Sequence, residues 1–409
     1  MYRRIKSRIQ TVKVVFIVLC VSFITVSCSS DNKRNKGSAI FELPFETYTE
    51  SGVVHIVNGI AYFTDAETGY DVALCSKPNC LHKPSSSVYA STCDAYLGPD
   101  PSFLFMDNEH IYYVAAPDVI DSESVLFDRI LYRADMDGRN KKVICKLDGI
   151  QRPRCMAYKD GMVALSYQKI MSKDKTKNGA FSDLEKSVTG VLLVDLNNGE
   201  CREIYEYEGY NANIYQVYFY ENKVYFYLFY TASDTRNVKI EDFKDVNDYY
   251  DFLLSDYRQQ VICFDPATGQ NEVVWEGTTE FVKRQSGGYL IIDQGDKMSF
   301  LMGDHIAATY NVEELAEHTP DFINIFIYDD VLYMTDEKKV WSMDLKTDKI
   351  KPVAGGKLDG KGINRIIGMF DNVVYYLAIN DGKSIKYMID RKSFLSGDIE
   401  NAKIIMEDN

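Results

Sequence analysis

The sequence is poor in the residues that catalytic and nucleic-acid-binding sites most often use. Its 409 residues include only 5 His and 2 Trp, and 46 Lys and Arg stand against 60 Asp and Glu, a net charge of −14. An acidic surface repels nucleic acid phosphates and anionic lipids, which argues against a role in binding DNA, RNA or a membrane through basic residues. No Ser-His-Asp order, Gly-rich phosphate loop or metal-binding helix motif occurs, so the sequence reveals no reaction.

Long apolar runs are also scarce, and the one that stands out is close to the N-terminus. Residues 1–13 carry bases and no acid, and residues 14–26 are apolar apart from Cys20, Ser22 and Thr25. A transmembrane helix needs about 20 apolar residues, whereas the core of a signal peptide is shorter. The pattern therefore predicts an export signal, whose removal makes the mature chain more acidic still.

The end of this run resembles the bacterial lipoprotein signal. Residues 24–28 read Ile-Thr-Val-Ser-Cys, with Thr25 where that family prefers Leu, and a polar stretch follows over residues 29–38. The resemblance implies that residues 1–27 are removed, that Cys28 is acylated with fatty acids such as palmitate, and that residues 28–40 form a flexible tether. It implies an extracytoplasmic protein held at a bacterial cell membrane by its acyl chains. The alternative is an uncleaved anchor with a cysteine at position 28 by chance.

From about residue 53 onward, the sequence repeats one unit of short β-rich segments. The second segment of each unit follows a turn with Asp, Asn or Gly, residues that tolerate the positive φ of a tight hairpin. The third segment commonly ends in Asp before a turn, where the Asp side chain caps the turn, so we interpret these acids as fold-forming rather than catalytic. The second segments are residues 60–63, 111–114, 162–165, 224–227, 289–292, 331–334 and 373–376.

Seven units with a period of about 50 residues are typical of propeller blades. A four-stranded sheet cannot bury both of its faces alone, so neighbouring sheets must stack on one another. The sequence therefore predicts an all-β protein with a single β-propeller domain over residues 41–409. We expect seven four-stranded blades, with six or eight as the alternatives. Residues 41–50 are expected to add a strand or to help close the ring.

One turn resembles the blades of quinoprotein-like propellers, and the body as a whole resembles TolB-like propellers. Asp265, Thr268 and Gly269 follow the Asp-x-x-Thr-Gly pattern of quinoprotein-like blades, and Trp275 follows at a displaced position. The resemblance implies a propeller in an exported lipoprotein, and it gives no support to quinone binding.

Three consecutive units carry long insertions between their second and third strands, at residues 115–128, 166–190 and 231–259. Long loops clustered on one face of a ring are where such folds usually build binding sites. Within the last insertion, residues 241–257 place apolar residues at helical spacing with acids between them. We expect either a capping helix whose apolar stripe packs on the blades, or an acidic and aromatic rim for a sugar or a peptide.

One group of residues has the chemistry of a metal site. Cys75, Cys80, His82 and Cys93 lie close together in the sequence, and three thiolates with one imidazole suit a tetrahedral Zn²⁺ ion. We expect this metal to be structural and to follow the third strand of the first blade, on the face away from the insertions. The alternative that stays open is a disulfide among these cysteines, which an exported protein permits.

The other cysteines and histidines show no pattern of an active site. Without Cys20 and Cys28, seven of the nine cysteines remain, an odd number that cannot all pair within one chain. We expect the four outside the metal group to be buried thiols, with a bridge between Cys145 and Cys155 as the alternative. The histidines outside the metal group are expected to be structural: His55, His110, His305 and His318.

Two functions from different classes agree with these features. The first is a membrane-tethered binding or scaffolding module, whose rigid ring holds a glycan, a peptide or a protein partner. The second is an extracytoplasmic hydrolase or lyase that acts on a glycan or peptide in the central funnel. An enzyme needs acids, or a histidine and metal set, at the ends of the inner strands. Because the innermost segments, residues 103–106, 219–220 and 325–328, are mainly apolar and aromatic, we favour the binding module.

Overall fold

The computed structural model describes residues 40–43, 45–83, 92–117, 129–147, 150–169, 187–233, 238–278, 281–283, 289–316, 324–380 and 382–408. The predicted signal peptide, Cys28 and the predicted tether up to residue 39 lie outside the described residues. Within the described ranges, no helix is long and apolar enough to cross a membrane.

The strands form antiparallel sheets in which the strand order follows the chain order. The first sheet contains β1 (Ile40–Leu43), β2 (Glu46–Tyr48), β3 (Gly52–Val57), β4 (Ile60–Asp65) and β5 (Asp71–Ala73). The second sheet contains β6 (Ser102–Met106), β7 (His110–Ala115), β8 (Arg129–Asp135) and β9 (Lys142–Leu147).

The third sheet has seven strands because one long strand belongs to two groups. It contains β10 (Ile150–Lys159), β11 (Met162–Lys169), β12 (Ser187–Asp195), β13 (Cys201–Tyr220), β14 (Lys223–Thr231), β15 (Tyr257–Asp265) and β16 (Gln270–Gly277). The first half of β13 pairs with β12 as far as Gly209, and its second half pairs with β14 from Tyr210 onward. This sheet therefore supplies two successive four-stranded groups that share β13.

Three four-stranded sheets complete the chain, and its few helices are short. The fourth sheet contains β17 (Phe281–Lys283), β18 (Tyr289–Asp293), β19 (Lys297–Met302) and β20 (His305–Asn311). The fifth contains β21 (Asn324–Tyr328), β22 (Val331–Thr335), β23 (Val340–Asp344) and β24 (Lys349–Pro352). The sixth contains β25 (Ile363–Met369), β26 (Val373–Asn380), β27 (Lys383–Asp390) and β28 (Lys403–Asp408). The α-helices are α1 (Val246–Ser255), α2 (Val312–Ala316) and α3 (Arg391–Ser396), and 3₁₀ turns occur at Ile240–Asp242 and Val353–Gly356.

We call the successive groups of four strands units 1 to 7, beginning with β2–β5 and ending with β25–β28. Within a unit, burial falls from the second strand to the fourth. The second strand β14 is buried over most of its length, whereas the fourth strand β16 is exposed or half-buried throughout. A strand that is covered on both faces reads as a continuous apolar run, which explains why the sequence shows little alternation in the second strands.

Hydrophobic clusters join each unit to the next and the last unit to the first. Clusters link units 1 and 2, units 2 to 4, units 4 and 5, units 5 and 6, and units 6 and 7. A further cluster joins Tyr48 and Val53 of unit 1 to Tyr375 and Met388 of unit 7. The units therefore follow one another in a closed ring. The predicted all-β propeller is confirmed, and the predicted number of blades stays a prediction that the seven units favour.

The first and last units meet through buried polar contacts as well as apolar ones. The Lys386 Nζ donates to both carboxylate oxygens of Glu46, at 2.7 and 2.9 Å, and the Tyr48 hydroxyl donates to Glu46 at 2.7 Å. The Tyr375 hydroxyl donates to the backbone carbonyl of Thr49 at 2.9 Å. No strand is shared between these two sheets, so side chains hold the ends of the described chain together.

The first unit begins one strand earlier than the sequence repeat indicated. Residues 60–63 were expected in a second strand, but β4, which contains them, is the third strand of unit 1 after β2 and β3. The turn after β4 supports this register, because the backbone N–H of Thr68 donates to Asp65 at 2.7 Å and Gly69 has a φ of 77°. Residues 41–50 supply β2 and most of β1, which agrees with the expectation of an added strand.

Candidate metal centre

The four predicted ligands lie where the outer strand of unit 1 is interrupted. After β5, the N–H of Leu74 donates to the carbonyl of Ala61 at 3.0 Å. The N–H of Ala61 in turn donates to the carbonyl of Ala95 at 2.9 Å. The chain therefore leaves the edge of β4 at residue 74 and returns to it at residue 95. Because both ends are held against one residue of β4, Cys75 and Cys93 are brought close together.

Two local features hold the chain that carries the ligands. A turn follows Cys75, in which the N–H of Cys80 donates to the carbonyl of Lys77 at 3.4 Å. Asn79 has a φ of 59°, a left-handed conformation that Asn tolerates better than most residues. The Lys77 Nζ lies 3.0 Å from the Asp94 carboxylate and also donates to the carbonyl of Thr92. Lys77 thus links the segment that carries Cys75 and Cys80 to the segment that carries Cys93.

The four side chains converge on one point. One ligand atom from each of Cys75, Cys80, His82 and Cys93 lies within 4.8 Å of all the others. The His82 Nδ1 and the Cys93 Sγ are 3.7 Å apart. Four ligands at about 2.3 Å from a tetrahedral Zn²⁺ ion lie roughly 3.8 Å from one another, so small movements would complete the geometry. The donor set, three sulfurs and one imidazole, is that of a closed structural zinc site.

The electrostatics of the thiols also suit a cation. Burial raises the pKa of the Cys93 thiol to about 12, and the neighbouring Cys80 thiol adds to the rise. Burial also opposes ionisation of Cys75, but the backbone N–H groups of Lys77, Asp94 and Ala95 donate to its sulfur and lower its pKa. Several thiolates so close together repel one another unless a positive charge lies between them. A bound dication would supply that charge and would release the thiol protons.

The position of this centre corrects one expectation. The cluster was expected after the third strand of the first blade, but Cys75 follows β5, the fourth strand of unit 1. The excursion packs against the turn between β8 and β9 of unit 2, where a Cβ on Gly138 would lie 2.3 Å from the carbonyl oxygen of Asp94. The centre therefore lies at the contact between units 1 and 2.

The long insertions are described only in part. Residues 118–128, 170–186 and 234–237 lie outside the described residues, so most of the first two insertions stays a prediction. In the third insertion, the expected helix is present as α1, which is shorter than residues 241–257. The Phe243 ring contacts Tyr249 at 5.5 Å and Phe252 at 5.3 Å, within the same insertion. Tyr257, after the helix, packs on Phe229 of β14 at 4.7 Å.

Sequence reasoning missed a charged cluster on unit 3. The Tyr167 hydroxyl donates to Glu203 and, at 2.9 Å, to Glu206, and the Lys169 Nζ donates to Glu206. The hydrogen bond from Lys169 lowers the pKa of Glu206. A Cβ on Gly190 would lie 2.4 Å from the Tyr167 hydroxyl oxygen, so the glycine makes room for the tyrosine. Glu203 and Glu206 are 36 and 39 positions from Tyr167 in the sequence, so no local pattern indicated their contact.

The described histidines outside the metal centre have carboxylate neighbours. The His55 Nε2 lies 3.0 Å from Asp71, His110 lies 3.9 Å from Asp107, and His305 lies 3.4 Å from Asp304. Burial lowers the pKa of His55, although Asp71 acts in the opposite direction. His318 lies outside the described residues. His55, His110 and His305 come from different units, so these three do not form one site.

No family model and no curated protein sequence matches the chain. Among solved structures, an acylaminoacyl peptidase in complex with Z-Gly-Gly-Phe-chloromethyl ketone aligns at 12% identity and a TM-score of 0.46, over 94% of this chain and 53% of that chain. An oligogalacturonate lyase from Vibrio parahaemolyticus aligns at 11% identity and a TM-score of 0.45, over 90% of each chain. TolB from Acinetobacter baumannii aligns at 9% identity and a TM-score of 0.33, over 93% of this chain and 65% of that chain.

The chain spans about half the length of the acylaminoacyl peptidases that it matches. Similarity at this level says nothing about what this chain binds or whether it catalyses a reaction.

Proposed function

We propose that the protein is a membrane-tethered, extracytoplasmic propeller that binds a ligand near the axis of its ring and does not transform it. The observation that carries this proposal is the charge of the innermost strands. Among the described residues of β2, β6, β10, β17, β21, β25 and the second half of β13, Glu46 is the sole acid, and β1, at the inner edge of the first sheet, adds Glu42. Glu46 is buried and bound by Lys386, so Glu42 of β1 is the one further carboxylate on the described inner strands, which does not favour acid and base catalysis by a pair of free carboxylates there.

The same strands carry several bases although the chain as a whole is acidic. Opposite charges attract a ligand and steer it toward the site, so this distribution favours an anionic glycan or peptide, or an acidic segment of a partner protein. The Arg154 side chain donates to Gln168 at 2.7 Å and is half-buried, which holds its charge in place. The bases of the innermost strands are Arg152, Arg154, Lys159, Lys283 and Arg365.

A ligand panel on the purified full chain tests this proposal. The panel contains an oligouronate, a sulfated oligosaccharide, a neutral glucan oligosaccharide, and acidic and basic peptides, with binding measured by calorimetry. We expect binding of an anionic member that weakens with salt and falls about tenfold or more in Arg154→Gln and Arg365→Gln. Lys349→Gln, an exposed change on the outer strand β24, serves as the control.

Mass spectrometry of the recovered ligand separates binding from catalysis. An unchanged ligand mass after prolonged incubation supports the binding module. Shortened or unsaturated products would favour the hydrolase or lyase instead. Binding of only basic or neutral members of the panel would contradict an anionic ligand. Binding that is unchanged in both arginine variants would contradict a ligand site at the inner strands.

We also propose that Cys28 carries the lipid anchor. The support is the apolar run followed by Ser-Cys and a polar stretch at residues 14–38. The full-length protein should be found in the membrane fraction and should incorporate a palmitate analogue. Cys28→Ala should abolish the labelling, whereas Cys263→Ser, which changes a buried thiol of unit 4, should leave it intact. Equal labelling of both variants would contradict the anchor at Cys28.

For the cysteine and histidine cluster, we propose a structural zinc ion rather than a disulfide. A disulfide would use two of the three sulfurs and would leave His82 without a role, whereas a zinc ion uses all four convergent side chains. We expect one zinc per chain in protein purified without chelators, retained in Cys155→Ser and lost in Cys80→Ser. Metal-free wild-type protein with a Cys75–Cys93 or Cys80–Cys93 crosslink in its peptide map would contradict the zinc site.

A further inference from the structure

Two cysteines outside the metal centre meet between neighbouring outer strands. Cys145 lies in β9, the fourth strand of unit 2, and Cys201 is the first residue of β13, whose first half is the fourth strand of unit 3. A Cβ on Gly199, in the turn before β13, would lie 3.2 Å from the carbonyl oxygen of Ile144. The turn of unit 3 is therefore in direct contact with β9, one residue away from Cys145.

The two thiols interact across this contact. A side-chain hydrogen bond between Cys145 and Cys201 lowers the pKa of Cys201, and the Cys145 Sγ also lies 3.5 Å from the carbonyl oxygen of Lys146. Cys145 is buried, with 6% of its surface accessible, whereas Cys201 is exposed. The pair thus combines an accessible sulfur that ionises more easily than usual with a protected sulfur held beside it. Such an arrangement favours attack by Cys201 on an external disulfide.

The other cysteines of the described chain have different neighbours. The Cys155 Sγ is 3.1 Å from the Ser166 hydroxyl oxygen, inside unit 3. Cys263 is buried in unit 4, which raises its pKa, and it interacts with the hydroxyl of Tyr225. Cys75, Cys80 and Cys93 belong to the candidate metal centre. The sequence-based pairing of Cys145 with Cys155 is therefore not the one that these contacts favour.

We propose that Cys145 and Cys201 form a disulfide that links units 2 and 3. The oxidant is a thiol–disulfide reagent: a protein disulfide of a thiol oxidase in the exporting cell, or glutathione disulfide in a test tube. The Cys201 thiolate attacks one sulfur of glutathione disulfide, forms a mixed disulfide and releases one glutathione thiolate. The Cys145 thiolate then attacks the Cys201 sulfur and releases the second glutathione. Two protein thiols lose two protons and two electrons, and one glutathione disulfide becomes two glutathiones.

The bond would close a loop of more than fifty residues across two units of the ring. Cross-linking a loop of this length restricts the unfolded chain and stabilises the folded one. This inference is independent of the proposed ligand and of the lipid anchor, because it concerns a contact on the outer strands.

Peptide mapping of the full chain tests the disulfide directly. The protein is reduced, incubated with glutathione disulfide under native conditions, blocked with N-ethylmaleimide and digested without reductant. We expect a crosslinked peptide that contains Cys145 and Cys201, with two glutathiones released per chain. The same crosslink should be present without added oxidant in protein recovered from the exporting cell. Blocked thiols at both positions after oxidation, or a crosslink from Cys145 to Cys155, would overturn the proposal.

Thermal unfolding gives a second readout. Oxidised wild-type protein should lose about 5 °C or more of its Tm when dithiothreitol is added. Cys155→Ser, which removes a buried thiol outside the pair, should show the same loss, whereas Cys201→Ser should show none. Since dithiothreitol also competes for zinc, the comparison is repeated in Cys80→Ser. An equal effect of reductant on Cys201→Ser and Cys155→Ser would contradict the link.

Discussion

Replacing Lys386 with Met tests whether a buried ion pair holds the two ends of the ring together. The side chains of Lys386, in the last unit, and Glu46, in the first, are 6% and 7% exposed and lie 2.7 Å apart. The substitution keeps most of the side-chain volume. The Glu46 carboxylate stays buried, and among the described contacts of its side chain only the hydrogen bond from the Tyr48 hydroxyl is left. Breaking a buried pair by removing one partner costs about 3–5 kcal/mol, because the charge left behind is neither paired nor hydrated.

Urea unfolding of the full chain measures this loss, with tyrosine fluorescence as the probe. Lys386→Met should lower the free energy of unfolding by about 3–5 kcal/mol. Lys383→Met, an exposed change on the same strand, should alter it by less than about 0.5 kcal/mol. In Glu46→Gln/Lys386→Met, no charge is left buried, so the double variant should be more stable than the sum of the single losses indicates. A loss below about 1 kcal/mol in Lys386→Met, or additive losses, would refute the reasoning.

Three further changes probe single features of the fold by the same unfolding assay. His55→Gln should reduce the loss of stability between about pH 7 and pH 5. Burial lowers the pKa of His55 below 6.5, so the unfolded chain takes up a proton first, and stability falls as the pH falls. Gly138→Ala should cost several times more than Gly269→Ala, because both have a positive φ but an added Cβ overlaps backbone only at Gly138. Tyr375→Phe should cost about 1–3 kcal/mol, since the buried carbonyl of Thr49 loses its phenolic donor; a neutral change would contradict that bond.

The fold was predictable because its signals are local and repeated. Asp265 and the turn after it show the pattern, since the N–H of Ala267 donates to Asp265 and Gly269 takes a positive φ, as the sequence indicated. The same local signals led to a wrong strand assignment in the first unit, where residues 60–63 belong to the third strand and not to the second. Asn58 and Gly59 form a tight turn between β3 and β4, like those between the first and second strands elsewhere, so turn chemistry alone did not reveal the unit's starting strand.

The candidate sites were predictable only as far as their residues are close in sequence. Cys75, Cys80, His82 and Cys93 come from one excursion, and their spacing was sufficient to group them. The pair of Glu46 and Lys386 is separated by 340 positions, and nothing near either residue indicates that a lysine should be buried. Cys145 and Cys201 belong to different units, and only the stacking of outer strands brings them together. Contacts that depend on ring closure require the structure.

The first strand has a consequence for how the ring faces the membrane. β1 lies at the inner edge of the first sheet, beside β10, and Ile40 is level with Tyr48 at the end that carries the turn from β2 to β3. The described strand ends that flank the long insertions lie at the opposite ends of the strands. With the proposed anchor at Cys28, the residues between it and β1 could span at most about 40 Å. The strand ends that lead into the insertions would then face away from the membrane to which the protein is proposed to be anchored.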